Sequence, residues 1–112
     1  MRMNDQLFLP GFAPILDESL GFVYVGARGS NNIASCQLKI GHSQRDPLGR
    51  VRRLRLKLLV LMPGTLADER ALHQRFSAAR IDREWFLPTP DLLAFIAETA
   101  KTTAETLSAN AA

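Results

Sequence analysis

A chain of 112 residues with 46% hydrophobic and 22% charged side chains is expected to form one domain around a single modest core, which excludes a disordered chain. Its net charge of +3 favours acidic partners such as nucleic acid. The lone cysteine, Cys36, excludes an internal disulfide and suits a reducing cytoplasm. No apolar run reaches the roughly eighteen residues of a membrane span, and an N-terminus broken by Pro10, Gly11 and Pro14 makes a poor signal peptide.

Residues 1–20 read as an extended arm, because Pro and Gly interrupt the apolar stretches at Gln6–Leu9 and Phe12. The domain proper is expected over residues 21–107. Phe22–Ala27 is a strand by its β-branched and aromatic content, Arg28–Asn32 supplies turn chemistry, and strand character returns over Cys36–His42. The two runs predict an antiparallel hairpin, with Leu38 and Ile40 on one face and Lys39 and Gly41 on the other. Asp46 then caps a helix that has Pro47 at its first position. Leu48, Val51, Leu54 and Leu58 fall at helical spacing and predict its buried stripe. The apolar run Leu58–Met62, stopped by Pro63-Gly64, is expected as a third strand buried on both faces, with the tail of a helix as the alternative. Thr65 caps a second helix running to about Ala79, with Asp68 and Glu69 favouring its dipole and Leu72 and Phe76 facing in. Arg80–Leu87 reads as an irregular or extended link. Thr89-Pro90-Asp91 opens a last helix with Leu93, Ile96, Ala97, Ala100 and Ala104 as its stripe, and residues 108–112 are expected to fray.

Charge is concentrated in one stretch. Arg45, Arg50, Arg52, Arg53, Arg55 and Lys57 face only Asp46, a local balance of +5, so the rest of the chain sums to −2. A basic helix of this kind reads as a phosphate-facing surface, and a merely solvated helix face is the alternative. Around it stand Tyr24 on the first strand, Lys39 on the second and Glu69 on the second helix. Hydrolysing a phosphodiester needs a group that activates water, a cation for the extra negative charge and usually a metal on the scissile phosphate. Tyr or Lys can do the first, Arg50 the second, and the Glu69 carboxylate can hold the third. Each also has a plain structural reading: a core tyrosine, an edge lysine, a solvated arginine, a dipole partner.

Val23-Tyr24-Val25 followed by Lys39-Ile40-Gly41, then Asp46-Pro47-Leu48-Gly49-Arg50, then Glu69, His73 and Phe76, then Glu84-Trp85-Phe86 resembles, in this order, the GIY-YIG endonuclease superfamily. The resemblance is to the branch, common in phage and bacterial proteins, whose second motif reads K-I-G. It implies an α+β domain with a small three-stranded antiparallel sheet flanked by helices. It also implies phosphodiester hydrolysis with one divalent metal, usually magnesium and alternatively manganese, held by Glu69. Tyr24 matches the tyrosine that helps activate the nucleophile, and Arg50 the arginine that stabilises the phosphate. Lys39 stands where the superfamily usually has its second tyrosine, and the superfamily's late asparagine has no clear match. A lysine there is a phosphate cation, or a proton acceptor if its charge is lost.

His73 lies one turn after Glu69 on the same helix face, where it can bond a phosphate, act as acid or base, or join Glu69 at a metal. His42 and Cys36 complete a structural zinc site only by an improbable arrangement. Trp85 and Phe86 read as late core residues, with base stacking on Trp85 as the alternative, and Glu84 as a partner for a cation near the site. The leading expectation is a cytoplasmic, metal-dependent endonuclease acting on DNA. Sequence specificity would come from a homodimer or a protein partner. The alternatives are a catalytically inactive nucleic-acid-binding module of the same fold, and a protein-interaction module that uses the basic helix.

Overall fold

The structure is a computed structural model that describes residues 21–29, 32 and 35–110, so the expected arm at 1–20 and part of the first loop lie outside the described residues. Strand-forming side chains on both faces shape Phe22–Gly29 (β1), Cys36–Ser43 (β2) and Lys57–Pro63 (β3). They pair antiparallel with β1 between the other two. The third strand is buried on both faces, as expected: neighbouring Val60 and Leu61 are each 0% exposed and belong to different apolar clusters.

The sheet extends beyond those three strands. Arg80–Asp82 (β4) and Trp85–Phe86 (β5) form a hairpin that adds to β2, giving five antiparallel strands in the order β3-β1-β2-β5-β4. The expected three-stranded sheet with a link at Arg80–Leu87 is corrected accordingly. Strands of three and two residues are too short for alternation to register. Their turn also places Arg83, not glycine or asparagine, at a left-handed φ of 44°.

Pro47–Arg53 (α1) starts as expected, with the Gly49 N–H donating to the Asp46 carboxylate at 3.0 Å. It stops earlier than the apolar spacing implies. Leu54 is 44% exposed, and Leu58 belongs to β3. The Arg55 N–H donates to Arg52 O and the Leu56 N–H to Val51 O, both at 3.0 Å. These are the paired bonds of a left-handed helix terminus, with Leu56 packing on the cluster that contains Val51. Arg55 adopts φ 58°, a conformation that glycine takes freely. We expect Arg55→Gly to raise stability by roughly 0.5 kcal/mol, once glycine's greater unfolded-state freedom is offset. A shift of the chemical denaturation midpoint measures this.

Leu66–Arg75 (α2) opens with a reciprocal cap: the Asp68 N–H donates to Thr65 Oγ1 at 3.1 Å and the Thr65 N–H to Asp68 Oδ2 at 2.8 Å. Leu72 and Phe76 face the core as expected. The single last helix becomes two, Pro90–Glu98 (α3) and Ala100–Asn110 (α4). They divide at Thr99, whose hydroxyl donates to Phe95 O and Ile96 O at 2.9 and 3.1 Å. The buried face is Leu92, Phe95, Thr103 and Thr106, while the expected Ala97, Ala100 and Ala104 are exposed. Threonine hides from a hydropathy pattern, yet here Thr106 Oγ1 donates to Thr102 O at 2.8 Å, and Thr103 Oγ1 accepts from Leu61 N–H at 3.0 Å. The second bond satisfies an outward N–H of edge strand β3 and ties α4 to it. α4 stays helical to Asn110, past the point where fraying is expected.

Two cores result. On one face of the sheet, Val23, Val25, Leu38, Ile40 and Val60 pack with Leu72 of α2, with Phe76 at the cap that ends it, and with Leu92 and Phe95 of α3. On the other, Tyr24 and Leu61 pack with Val51 of α1, and Leu107 of α4 leans on them. Among the described residues, no helix is long and apolar enough to cross a membrane.

Candidate active site

Strand parity puts Tyr24 on the α1 side of the sheet, directly across from Gly41 and Leu61. The phenol lies over Gly41: a Cβ on that glycine would stand 2.5 Å from Tyr24 Oη and 2.6 Å from Cζ. The glycine of the K-I-G run is therefore required by the tyrosine of the neighbouring strand. Tyr24 is 0% exposed, and its hydroxyl has no hydrogen-bond partner among the described residues.

Lys39 lies on the same face, two residues before Gly41 and across from Trp85 of β5. It is 9% exposed, and its Nζ donates to Glu84 Oε1 at 2.8 Å. Glu84 is fixed by its backbone as well, since its carbonyl accepts from the Ile40 N–H at 3.0 Å. The β4–β5 hairpin, unseen in the sequence pattern, is what brings Glu84 to Lys39. An ion-paired ammonium has no lone pair to receive a proton, so this geometry favours the cation role for Lys39 over the acceptor role.

His73 is tied to the sheet. Its Nε2–H donates to Ile40 O at 2.9 Å, and its ring meets Phe86 edge-on at 5.1 Å. Only Nδ1 remains for a phosphate, a proton or a metal. One turn earlier, Glu69 is half-buried and makes no side-chain hydrogen bond or ion pair to a described residue. Burial lifts its carboxyl above the ordinary value of 4.5; His73 pulls it back, Glu84 pushes it further up, and His42 and Lys39 pull it down. By strand parity Tyr24 and Lys39 lie on the α1 side of the sheet, whereas α2, which carries Glu69 and His73, packs on the other side; the link from Glu69 to Lys39, His42 and Glu84 is one of electrostatic influence.

The sign of the Glu69 shift gives a pH prediction. Between 4.5 and the raised value, the folded chain holds a proton that the unfolded chain has released. Stability therefore falls as pH rises through that window, and the loss is complete above it. Glu69→Gln should flatten this decline above pH 4.5, read as denaturation midpoints in the presence of chelator. An equal slope in the variant would refute the assignment.

Arg50 and His42 line an open cleft of about 490 Å³ with Ser43, Gln44 and Leu66 of α2. Tyr24 does not line it. Arg45, Arg50, Arg52, Arg53, Arg55 and Lys57 are all exposed. Among the described residues the one acid that pairs with any of them is Asp46, 3.8 Å from Arg53. The basic stretch thus keeps most of its charge available for an anionic surface.

No family model, curated protein or solved structure matches the chain. The chemistry of the site must be read from its own groups. Among the described residues no cluster of three or more His, Cys, Asp and Glu side chains is placed to hold a metal, so nothing here resembles a zinc cage. A hard cation such as magnesium asks less, taking one or two carboxylates and completing its shell with water and substrate phosphate. The Glu69 carboxylate, with no bond to a described residue, fits that demand.

Arg28 is expected only as turn chemistry, yet it belongs to β1. In the structure its guanidinium lies 3.6 Å from the centre of the Trp85 ring and donates twice to Gln37 Oε1. Strand parity held the signal: Arg28 shares its face with Tyr24, and Gln37 with Lys39.

Proposed function

We propose that this domain is a metal-dependent endonuclease of the GIY-YIG type that hydrolyses DNA phosphodiester bonds. The observation that carries the reading is a half-buried Glu69 with no bond to a described residue, under the electrostatic influence of His73, Glu84, His42 and Lys39; His42 also lines, with Arg50 and with Leu66 of the same helix as Glu69, an open cleft. The central β3-β1-β2 arrangement supports the resemblance, with the β4–β5 hairpin as an addition to it. Glu69 would hold magnesium or manganese, which when bound neutralises developing charge at the scissile phosphate. Arg50 receives a phosphate oxygen in the cleft, and Lys39 adds a second positive charge. The resemblance assigns activation of the attacking water to Tyr24, which requires its buried hydroxyl to become accessible. His73 positions α2, and with it Glu69, against β2. Sequence specificity would be supplied by a second copy or a protein partner.

The sealed Tyr24 hydroxyl favours a second reading, a nucleic-acid-binding module of the same fold without catalysis. One experiment separates the two: supercoiled and single-stranded DNA incubated with magnesium, manganese or chelator, beside Glu69→Ala. Metal-dependent nicking that vanishes in the variant supports the nuclease. Intact DNA retained by the protein, with affinity falling steeply as salt rises, supports the binding module. Neither cleavage nor retention defeats both.

A further inference from the structure

The side chains of Arg28, Gln37 and Trp85 form a cluster that the proposed chemistry does not use. Trp85 is half-buried on the short strand β5, while Arg28 and Gln37 are exposed on β1 and β2. Arg28 Nε and Nη2 donate to Gln37 Oε1 at 3.1 and 2.9 Å, which fixes the guanidinium plane. Trp85, 3.6 Å from it, covers one face of the guanidinium, and the Arg28 residue as a whole is exposed. An exposed cation over a half-buried ring at the surface adds only modestly to stability, a small return for immobilising so flexible a side chain.

We infer that the Arg28–Trp85 pair is a stacking platform for an unpaired base of single-stranded DNA. A planar cation held flat presents a π-face and a positive charge together, the combination on which bases stack in single-strand-binding grooves. The Gln37 amide N–H groups flank the platform and can reach a base edge. A bare phosphate suits the place less well, because Asp82 stands opposite Trp85 in register on β4. The platform also adjoins the proposed catalytic groups: Lys39 Nζ lies 5.8 Å from the Trp85 ring and 2.8 Å from Glu84. Gln37 and the cleft residues His42 and Ser43 lie at opposite ends of β2, roughly 17–20 Å apart at the rise of an extended strand. A base stacked here therefore belongs to a nucleotide a few positions from a phosphate held at the cleft, and that part of the inference rests on the nuclease reading.

Trp85 is the chain's one tryptophan, so intrinsic fluorescence reports the platform directly. The full chain is titrated, with chelator present, with an oligomer of deoxythymidine and with an abasic oligomer of equal length, which carries the same phosphates without bases. We expect quenching by the first and about tenfold tighter binding of it than of the abasic strand. In Arg28→Glu that preference should fall close to one. Charge reversal weakens both oligomers through their phosphates, so the ratio isolates the base, and an unchanged circular dichroism spectrum verifies the fold. Equal binding of the two oligomers, or a preference that survives in Arg28→Glu, overturns the platform. Cleavage in the Glu69→Ala comparison without base-dependent quenching removes the platform alone. Quenching without cleavage removes the nuclease alone.

Discussion

Replacing Gly41 by alanine is expected to destabilise the domain by about 2–3 kcal/mol and to displace Tyr24. The added methyl would lie 2.5, 2.6 and 3.0 Å from Tyr24 Oη, Cζ and Cε2, all well inside van der Waals contact. Whether such an overlap matters depends on whether the neighbour can yield. Tyr24 is 0% exposed and packed with Val51 and Leu61, so its ring has nowhere to swing. Gly49 makes the instructive contrast. A Cβ there would overlap the Asp46 carboxylate, but that side chain is 66% exposed and can rotate into water. Gly49→Ala therefore loses a cap worth about 1 kcal/mol and regains a similar amount from alanine's helix propensity. Denaturation midpoints of the two variants should differ widely although both begin with a steric overlap. Tyr24→Phe in the Gly41→Ala background should recover only part of the loss, because it removes the contact at Oη and leaves the one at Cζ.

The same pair of residues shows what the sequence could and could not reveal. Strand alternation is a local property, so β1, β2 and the parity of Lys39 and Gly41 could be read from it, as could the caps at Asp46 and Thr65. Gly41 stood in a motif without a reason until the β1–β2 register placed Tyr24 across from it. Register is a relation between distant segments, and no window of sequence contains it. Glu84 is legible as a partner for a cation near the site, but its contact with Lys39 spans two strands and depends on a hairpin of five strand residues. The α1 terminus misled for a different reason. Leucine spacing continued through Leu54 and Leu58, while the stop came from an arginine in a left-handed conformation, where glycine is the usual signal. In α4 the buried residues were threonines whose hydroxyls bond to backbone groups, a solution invisible to any hydropathy count.

The Lys39–Glu84 pair should give the largest coupling in the site. Glu84→Gln is expected to cost about 2 kcal/mol, because it leaves an ammonium that is out of water facing a neutral amide. The cost stays below that of a fully enclosed pair because the Glu84 side chain is 42% exposed against 11% for Lys39, so water screens the carboxylate end. The same asymmetry makes Lys39→Met the milder change, about 1 kcal/mol, since the orphaned Glu84 can hydrate. The double variant should be more stable than the sum of the single losses implies, with a coupling of about 1–2 kcal/mol in a double-mutant cycle. The cycle also decides the chemistry of Lys39. A neutral amine able to take a proton from water forms no ion pair, so its coupling to Glu84 would be near zero at neutral pH. Strong coupling fixes Lys39 as a cation and removes it as a proton acceptor in the proposed reaction.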